Sequence, residues 1–348
     1  MPASRPTTRK TAKRRSRRSS GAVTLHDVAR LAGVAPITAS RAINKPAQVS
    51  EDVRRRVAKA VAKTGYVPNL LAGGLASTRS RLVAAVVPTI SGPVFLPMVQ
   101  ALTDSLAGMG YQLMLGQSGY VGTREDLLLE AIIGRRPDGI VLTGIMHSAQ
   151  GRKRLLGAGI PVVETWDLTA TPLDMLVGFS HTDVGRTVAD FLHARGRRKL
   201  AIVTGSDERA ARRTEAFLAQ AKAHGIGDVQ VVTVPAPTTM RSGRSGLGEL
   251  LKRDKRIDGV FCSSDMLAMG VLAEARARRI GIPDQLAVVG FGDLDFAADT
   301  DPALTTVHID AMQIGQHAAR FIVERAEGRK VEPSIVDVGF TIVERKST

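Results

Sequence analysis

In the last two thirds of the sequence, polar and aromatic side chains gather where short apolar runs end. Thr89 and Phe95 follow one such run, His147 another, and Glu164, Trp166 and Asp167 a third. Ser206 to Arg213, Ser263 to Asp265 and Gly292 to Asp295 follow three more. Acids, cations, hydroxyls and rings facing one cleft suit a polyhydroxylated ligand, because polar groups fix its hydroxyls while an aromatic face stacks on its carbon chain. Covalent catalysis has no such support. Gly243, Gly246 and Gly248 stand in the wrong order for Gly-x-Gly-x-x-Gly, and no Gly-Lys-Ser/Thr, Gly-x-Ser-x-Gly or His-Glu-x-x-His occurs. The isolated Asp293-x-Asp295 reads as a solvated turn before it reads as a metal site. We therefore expect no catalytic residue, no metal and no cofactor.

The elements that must position these residues are legible in the alternation of apolar runs with amphipathic stretches. Strands are expected at Leu82–Val87, Gln112–Leu115, Gly139–Leu142, Pro161–Val163, Met175–Gly178, Lys199–Thr204, Val229–Val234, Gly259–Cys262, Ala287–Gly290, Leu304–His308 and Ile335–Phe340. Such alternation implies α/β architecture, with doubly wound parallel sheets covered by helices on both faces. Eleven strands divide more naturally between two sheets than they fit in one. In open parallel sheets a ligand sits at the carboxyl ends of the strands, which is why the residues following each run are the candidates.

Upstream of this body, residues 24–44 describe two short helices held at an angle. Thr24 caps the first with Asp27 as its reciprocal partner, and Leu25, Val28, Ala29 and Ala32 form one apolar face. Gly33 permits a sharp turn, Val34 buries the corner, Pro36 opens the second helix, and Ala39, Ala42 and Ile43 repeat at helical spacing. Ser50, Glu51 and Asp52 start a third helix striped by Val53, Val57, Ala60 and Val61 and stopped by Gly65. Two helices joined by so short a turn make a helix-turn-helix. Its second helix enters the major groove of DNA with its N-terminal residues foremost, here Pro36, Ile37, Thr38, Ser40 and Arg41.

Charge agrees with a nucleic-acid partner. Residues 1–80 hold 17 Lys and Arg against 3 Asp and Glu, which leaves only +1 of the chain's +15 for residues 81–348. Concentrated basicity of this kind binds phosphates by releasing counterions. Residues 1–22 carry eight basic residues and no acid and read as a disordered arm, while residues 70–77, with Gly73 and Gly74 adjacent, read as a weak helix that does not form alone. The sequence has no transmembrane run and no signal-peptide core, and its single Cys262 excludes an internal disulfide. The expectation is a soluble cytoplasmic protein on the nucleoid, with no membrane partner.

Ordered matches then accumulate: Thr24-Leu25-x-Asp27-Val28-Ala29-x-x-Ala32-Gly33-Val34, Thr38-x-Ser40-Arg41-x-x-Asn44, Val49-Ser50, Gly65-Tyr66-x-Pro68-Asn69 and Leu75. On these residues the chain resembles the lactose-repressor (LacI/GalR) family of transcription regulators. The resemblance implies a homodimer, with a tetramer possible, on a palindromic double-stranded operator. Leu75 would wedge into the minor groove while paired hinge helices order on the DNA. Pro36, Ile37 and Arg41 would read base edges, Thr38 and Ser40 would contact phosphates, and Thr24, Asn44, Tyr66 and Asn69 complete the DNA-facing set. This chain departs from the family at Ala35 and Ala39, where Ser and Val are usual. Pro36 and Ile37 cannot donate side-chain hydrogen bonds, which leaves Arg41 to read guanine.

For the body, the resemblance implies two lobes like those of periplasmic sugar-binding proteins, with crossings near Phe179-Ser180 and Thr306–Asp310. Arg213, followed by Phe217, matches the family's effector arginine. Ser264-Asp265-Met266-x-Ala268-x-Gly270 matches an Asn-Asp motif with Ser in place of Asn, and Gly290-Phe291-Gly292-Asp293 lacks one acid of Gly-[Phe/Tyr]-Asp-Asp. Pro88, Phe95, His147, Pro161 to Asp167 and Asp258 to Cys262 look most like gluconate-operon repressors. The implied effector is a sugar acid such as gluconate, with Arg213 or His147 near its carboxylate. Induction is the expected sign; a corepressor also occurs in the family, and a DNA-tethered sugar-acid-modifying enzyme is the competing class. The expected boundaries are an arm at 1–22, a head at 23–68, a hinge and linker at 69–81, and a body at 82–348. Its first lobe should hold about 82–178 and 309–330, its second about 180–305 and 331–345.

Overall fold

The computed structural model describes residues 23–67, 79–120 and 122–348; the basic arm and the hinge positions Asn69 and Leu75 lie outside the described residues. The chain divides into two compact units with the boundary between Thr78 and Arg79.

The first unit is a three-helix head: α1 (Leu25–Ala32), α2 (Pro36–Asn44) and α3 (Glu51–Thr64). Thr24 and Asp27 form a reciprocal capping box, and Gly33 ends α1 in the left-handed conformation that lets the chain turn within three residues. Ser50 caps α3, its Oγ accepting from the Val53 amide. The core is small: Val28, Ala29, Ala32, Ala39, Ala42, Val57 and Ala60 are buried, with Leu25, Val34, Ile43, Val49, Val53, Val61 and Tyr66 packed around them. Arg56 Nη1 donates to the Ala32 carbonyl at 3.2 Å, which satisfies the end of α1 from α3.

The second unit holds two six-stranded sheets. The first runs β11-β5-β4-β3-β1-β2, from β1 (Leu82–Val87), β2 (Gln112–Gln117), β3 (Gly139–Thr143), β4 (Val162–Thr165), β5 (Met175–Gly178) and β11 (Ile335–Asp337). Its pairings are parallel. Helices α4 (Leu96–Gly108) and α11 (Ala311–Ala326) pack together on one face, and α5 (Gly122–Ile133) and α6 (Ala149–Ala158) on the other. The second sheet runs β12-β10-β9-β8-β6-β7, from β6 (Leu200–Gly205), β7 (Gln230–Val234), β8 (Gly259–Cys262), β9 (Ala287–Phe291), β10 (Thr305–His308) and β12 (Thr341–Val343). It is covered by α7 (His181–Ala194) with α8 (Glu208–Ala223) and by α9 (Met240–Arg253) with α10 (Asp265–Ala277). Only β12 among these strands runs antiparallel to its neighbour. Both faces of the central strands are buried, so the strands are continuously apolar, as in Leu82–Val87.

The chain passes between the sheets after β5, after β10 and after β11. The third passage corrects the sequence reading, which put all of 331–345 in the second lobe. Ile335, Val336 and Asp337 pair with Leu176, Val177 and Gly178 in the first sheet, and only β12 joins the second. The expected strand Ile335–Phe340 thus ends at Asp337: Val338 to Phe340 form the crossing, and the strand of the second sheet begins only at Thr341.

The body begins at a tether. The Asp138 carboxylate accepts from the amides of Ser80 (3.0 Å) and Arg81 (2.8 Å), while the Asp138 amide donates to the Leu82 carbonyl.

Candidate functional site

In the head, Pro36 is the first residue of α2 and brings no N–H, Ala35 supplies no side-chain cap, and the Thr38 and Ala39 amides both donate to the Ala35 carbonyl, which leaves the Ile37 amide for another acceptor. Pro36, Ile37 and Arg41 are exposed, Ile37 at 60%. Thr38 and Ser40 are half-buried on the same helix, and the Asn44 amide donates to Ser40 Oγ at 3.3 Å. Thr24 is engaged with Asp27, and Tyr66 packs against the head's core. A helix end with the Ile37 amide, an apolar side chain and a guanidinium on one exposed surface can approach phosphate, a thymine methyl and a guanine edge together.

In the body, the carboxyl ends of the strands form two adjoining cavities between the lobes. The outer one encloses about 710 Å³ of empty space, part of it open to solvent. Ser118, Tyr120, Glu125, Thr143, Asp167, Asp207 and Arg209 are among its lining residues. The inner one spans about 530 Å³ of empty space, part of it likewise open to solvent, and is lined by Phe95, Trp166, His181, Arg213, Thr238, Ser263, Ser264 and Phe291, among others. Tyr120, Asp207 and Arg209 border both.

Arg213 is the chemical centre of the inner cavity. Its guanidinium lies 4.0 Å from the Phe291 ring centroid, its Nη1 donates to His181 Nδ1 at 2.9 Å, and its Nη2 donates to the Ser263 carbonyl at 3.2 Å. Nε has no hydrogen-bond partner. No carboxylate of the described residues makes an ion pair with Arg213, and burial pulls its pKa down to about 10. Trp166 forms one wall, its indole NH donating to Met98 Sδ and its ring meeting Phe95 edge-on at 5.1 Å. Its backbone takes φ 63°, a strained conformation for so large a residue. Ser264 caps α10 and shares a 2.9 Å hydrogen bond with Thr238.

Five of the ten residues nominated from the sequence line these cavities: Phe95, Trp166, Asp167, Arg213 and Ser264. Five do not. Thr89 is buried, and its hydroxyl accepts from the Ser91 amide. His147 and Glu164 lie behind the outer wall. His147 Nδ1 is 2.6 Å from Glu125 Oε1 and its Nε2 is 3.3 Å from Glu164 Oε1, while Glu164 Oε2 accepts from the Leu173 amide. Burial disfavours the charged imidazole, but the two carboxylates outweigh it and push its pKa up to about 9. Asp265 is drawn into the core, accepting from Thr306 Oγ1 at 2.6 Å and the Leu294 amide at 2.8 Å. Burial raises its pKa to about 6. The closeness of this network explains Gly290, where a Cβ would meet Asp265 Oδ1 at 2.1 Å. Asp293 is held by His308 (3.0 Å) and Arg345 (2.8 Å).

Residues the sequence reading missed are Tyr120, Glu125, His181, Thr238 and Phe291 as cavity lining. Phe291 stood inside a quoted motif, and His181 stood one residue beyond the expected crossing. Tyr120 and Glu125 follow β2, a strand end from which no candidate was drawn. Among the described residues no cluster of His, Cys, Asp or Glu is arranged to hold a metal ion, and no helix is long and apolar enough to cross a membrane.

Comparison with known proteins places both units. The profile of bacterial regulatory proteins of the lacI family matches residues 24–69, and that of the periplasmic binding protein-like domain matches residues 189–348. The chain is 35% identical over 334 residues to the HTH-type transcriptional regulator GntR of Pseudomonas aeruginosa, covering 95% of this chain and 97% of that one. The crystal structure of a LacI-family transcriptional regulator from Silicibacter pomeroyi superposes with a TM-score of 0.89 at 30% identity, over 93% of this chain and 99% of that one. The lac repressor dimer bound to operator and an anti-inducer shares the fold, with a TM-score of 0.80 at 22% identity over 94% and 99% of the two chains. With its helix-turn-helix head and its periplasmic-binding-protein-like body, this chain belongs to the LacI family of bacterial regulatory proteins and is a DNA-binding transcriptional regulator, not an enzyme.

Proposed function

We propose that the protein is a repressor of genes for sugar-acid catabolism, released from its operator when gluconate or a close relative fills the cleft. The observation that carries the effector class is Arg213: a buried guanidinium with an unpartnered Nε and no ion-paired carboxylate is completed by an anion. Outside it, Tyr120, Glu125, Asp207 and the unpartnered hydroxyl of Thr143 offer acceptors and donors to a chain of hydroxyls. The sequence resemblance to gluconate-operon repressors supports the same choice.

The operator is palindromic and the protein a homodimer, by analogy with the operator-bound lac repressor dimer. Pro36, Ile37 and Arg41 meet base edges, Thr38 and Ser40 the backbone, and Leu75 the minor groove. Closure of the lobes around the effector disfavours the paired hinges, and operator disfavours closure by the same factor. Such a regulator works in the bacterial cytoplasm, where its DNA lies.

A thermal-shift series tests this on the full chain with gluconate, its 6-phosphate, its keto derivatives and neutral glucose. Stabilisation by a sugar acid, absent with glucose and lost in Arg213→Gln, is expected, since a bound ligand stabilises in proportion to ln(1 + [L]/Kd). Equal shifts with glucose would remove the anionic effector. A ligand that strengthened operator binding would reverse the sign of regulation.

A further inference from the structure

We propose that His181 is a positioning residue: it aims Arg213 at the effector's anionic group and ties that arginine to the first lobe through the Trp166 carbonyl. The proposal rests on the reading of Arg213 given above. His181 is the first residue of α7, immediately after the chain crosses from the first lobe. Its side chain is buried, and both ring nitrogens are engaged. Nδ1 receives Arg213 Nη1 at 2.9 Å, and Nε2 lies 2.9 Å from the Trp166 carbonyl.

These partners dictate the protonation state. A guanidinium donates only, so Nδ1 must be bare, and a carbonyl accepts only, so Nε2 must carry the hydrogen. The ring is therefore a neutral Nε2–H tautomer. Burial and the three arginines of α8 (Arg213, Arg209 and Arg212) keep a second proton off. Packing locks its orientation, since the Phe179 ring stands edge-on at 4.7 Å and Phe291 lies beyond at 6.2 Å. Trp166 contributes the carbonyl through its strained backbone, and the same residue walls the inner cavity. Arg213 and Trp166 belong to different lobes, so the imidazole is a rigid bridge between the cation that meets the ligand and the wall opposite it.

The bridge can be cut at either end. An asparagine oxygen takes the place of Nδ1 and keeps the Arg213 bond but cannot reach Trp166. A glutamine nitrogen takes the place of Nε2 and keeps the Trp166 bond but leaves Arg213 without its acceptor. Calorimetric titration with gluconate and operator anisotropy with and without it are measured on the full chain, with a palindromic operator selected from random duplexes. His181→Asn should bind gluconate within about threefold of the parent yet lose most of the gluconate-driven operator release, whereas His181→Gln should bind gluconate about tenfold or more weakly. If the two variants behave alike, or like the parent, the proposal fails. The ring itself supplies a readout that needs no ligand. In histidine-labelled protein, nitrogen NMR should show a single neutral Nε2–H tautomer for His181 from pH 8 to pH 5.5. A ring that titrates at the usual histidine value, or that carries its hydrogen on Nδ1, overturns the proposal. Failure of gluconate and its relatives to bind the parent would sink the sugar-acid reading instead, and the NMR result would then decide the role of His181 by itself.

Discussion

Arg212 Nη1 lies 2.8 Å from Asp167 Oδ2, so a cation of the second lobe neutralises a buried acid of the first across the cleft. Its neighbour Arg213 turns the other way, into the inner cavity. Two adjacent arginines on α8 thus face separate surroundings, one pairing across the lobes and the other lining the inner cavity.

Arg212→Met should leave the Asp167 charge unpaired and destabilise the body by about 1–3 kcal/mol at neutral pH. Burial already raises the Asp167 pKa with Arg212 in place, so the folded state favours the protonated acid. That preference stabilises at acid pH and is lost as pH rises. The variant's deficit in scanning calorimetry should therefore shrink from pH 7 towards pH 4; a deficit independent of pH would mean that the pair is not what holds the site.

His147 works with the opposite charge. Its pKa rises from 6.5 to about 9 between Glu125 and Glu164, so its stabilising contribution is full below pH 6.5 and is lost as pH rises through about 9. The linkage amounts to about 3 kcal/mol. The stability difference between the parent and His147→Gln should accordingly fall between pH 6.5 and pH 9.5, as denaturant unfolding at each pH will reveal.

Asp265 is placed in a framework role by its bonds to Thr306 and the Leu294 amide. Asp265→Asn should cost about 1–3 kcal/mol of stability while leaving gluconate affinity within about twofold. Gly290→Ala should prevent the body from folding, since its Cβ would overlap Asp265 Oδ1. A large loss of gluconate affinity in a stable Asp265→Asn protein would return this acid to the ligand site.

Arg41 and Lys63 separate sequence reading from phosphate attraction in the head. Arg41→Ala should lose about 1–3 kcal/mol on its preferred operator and relax the choice of one base pair. Lys63→Ala, on α3, should weaken all duplexes to a similar, small extent. Anisotropy titrations on operator and scrambled DNA at two salt concentrations distinguish the two patterns.

The order of strands and helices was legible because each central strand is buried on both faces and so reads as an unbroken apolar run. The same rule found the ends of the strands but not the direction of each side chain there. Thus Trp166 and Asp167 reach the cavities, while Glu164, two residues earlier, pairs with His147 and Leu173 inside the first lobe. Asp265 was nominated with Ser264, but Ser264 caps α10 at the cavity and Asp265 points beneath the helix to Thr306. His181 and Glu125 escaped notice because each begins or nearly begins a helix, where sequence shows a capping pattern and not the cavity into which the end of that helix projects. The crossing that cuts the expected strand Ile335–Phe340 short after Asp337 was likewise invisible, since strand periodicity does not report a change of partner.

The Asp138 clamp at the start of the body has a mechanical consequence. Two amides gripped by one carboxylate fix the backbone at Ser80 and Arg81 to the turn before β3, so the chain enters β1 with its place and direction set by the neighbouring strand.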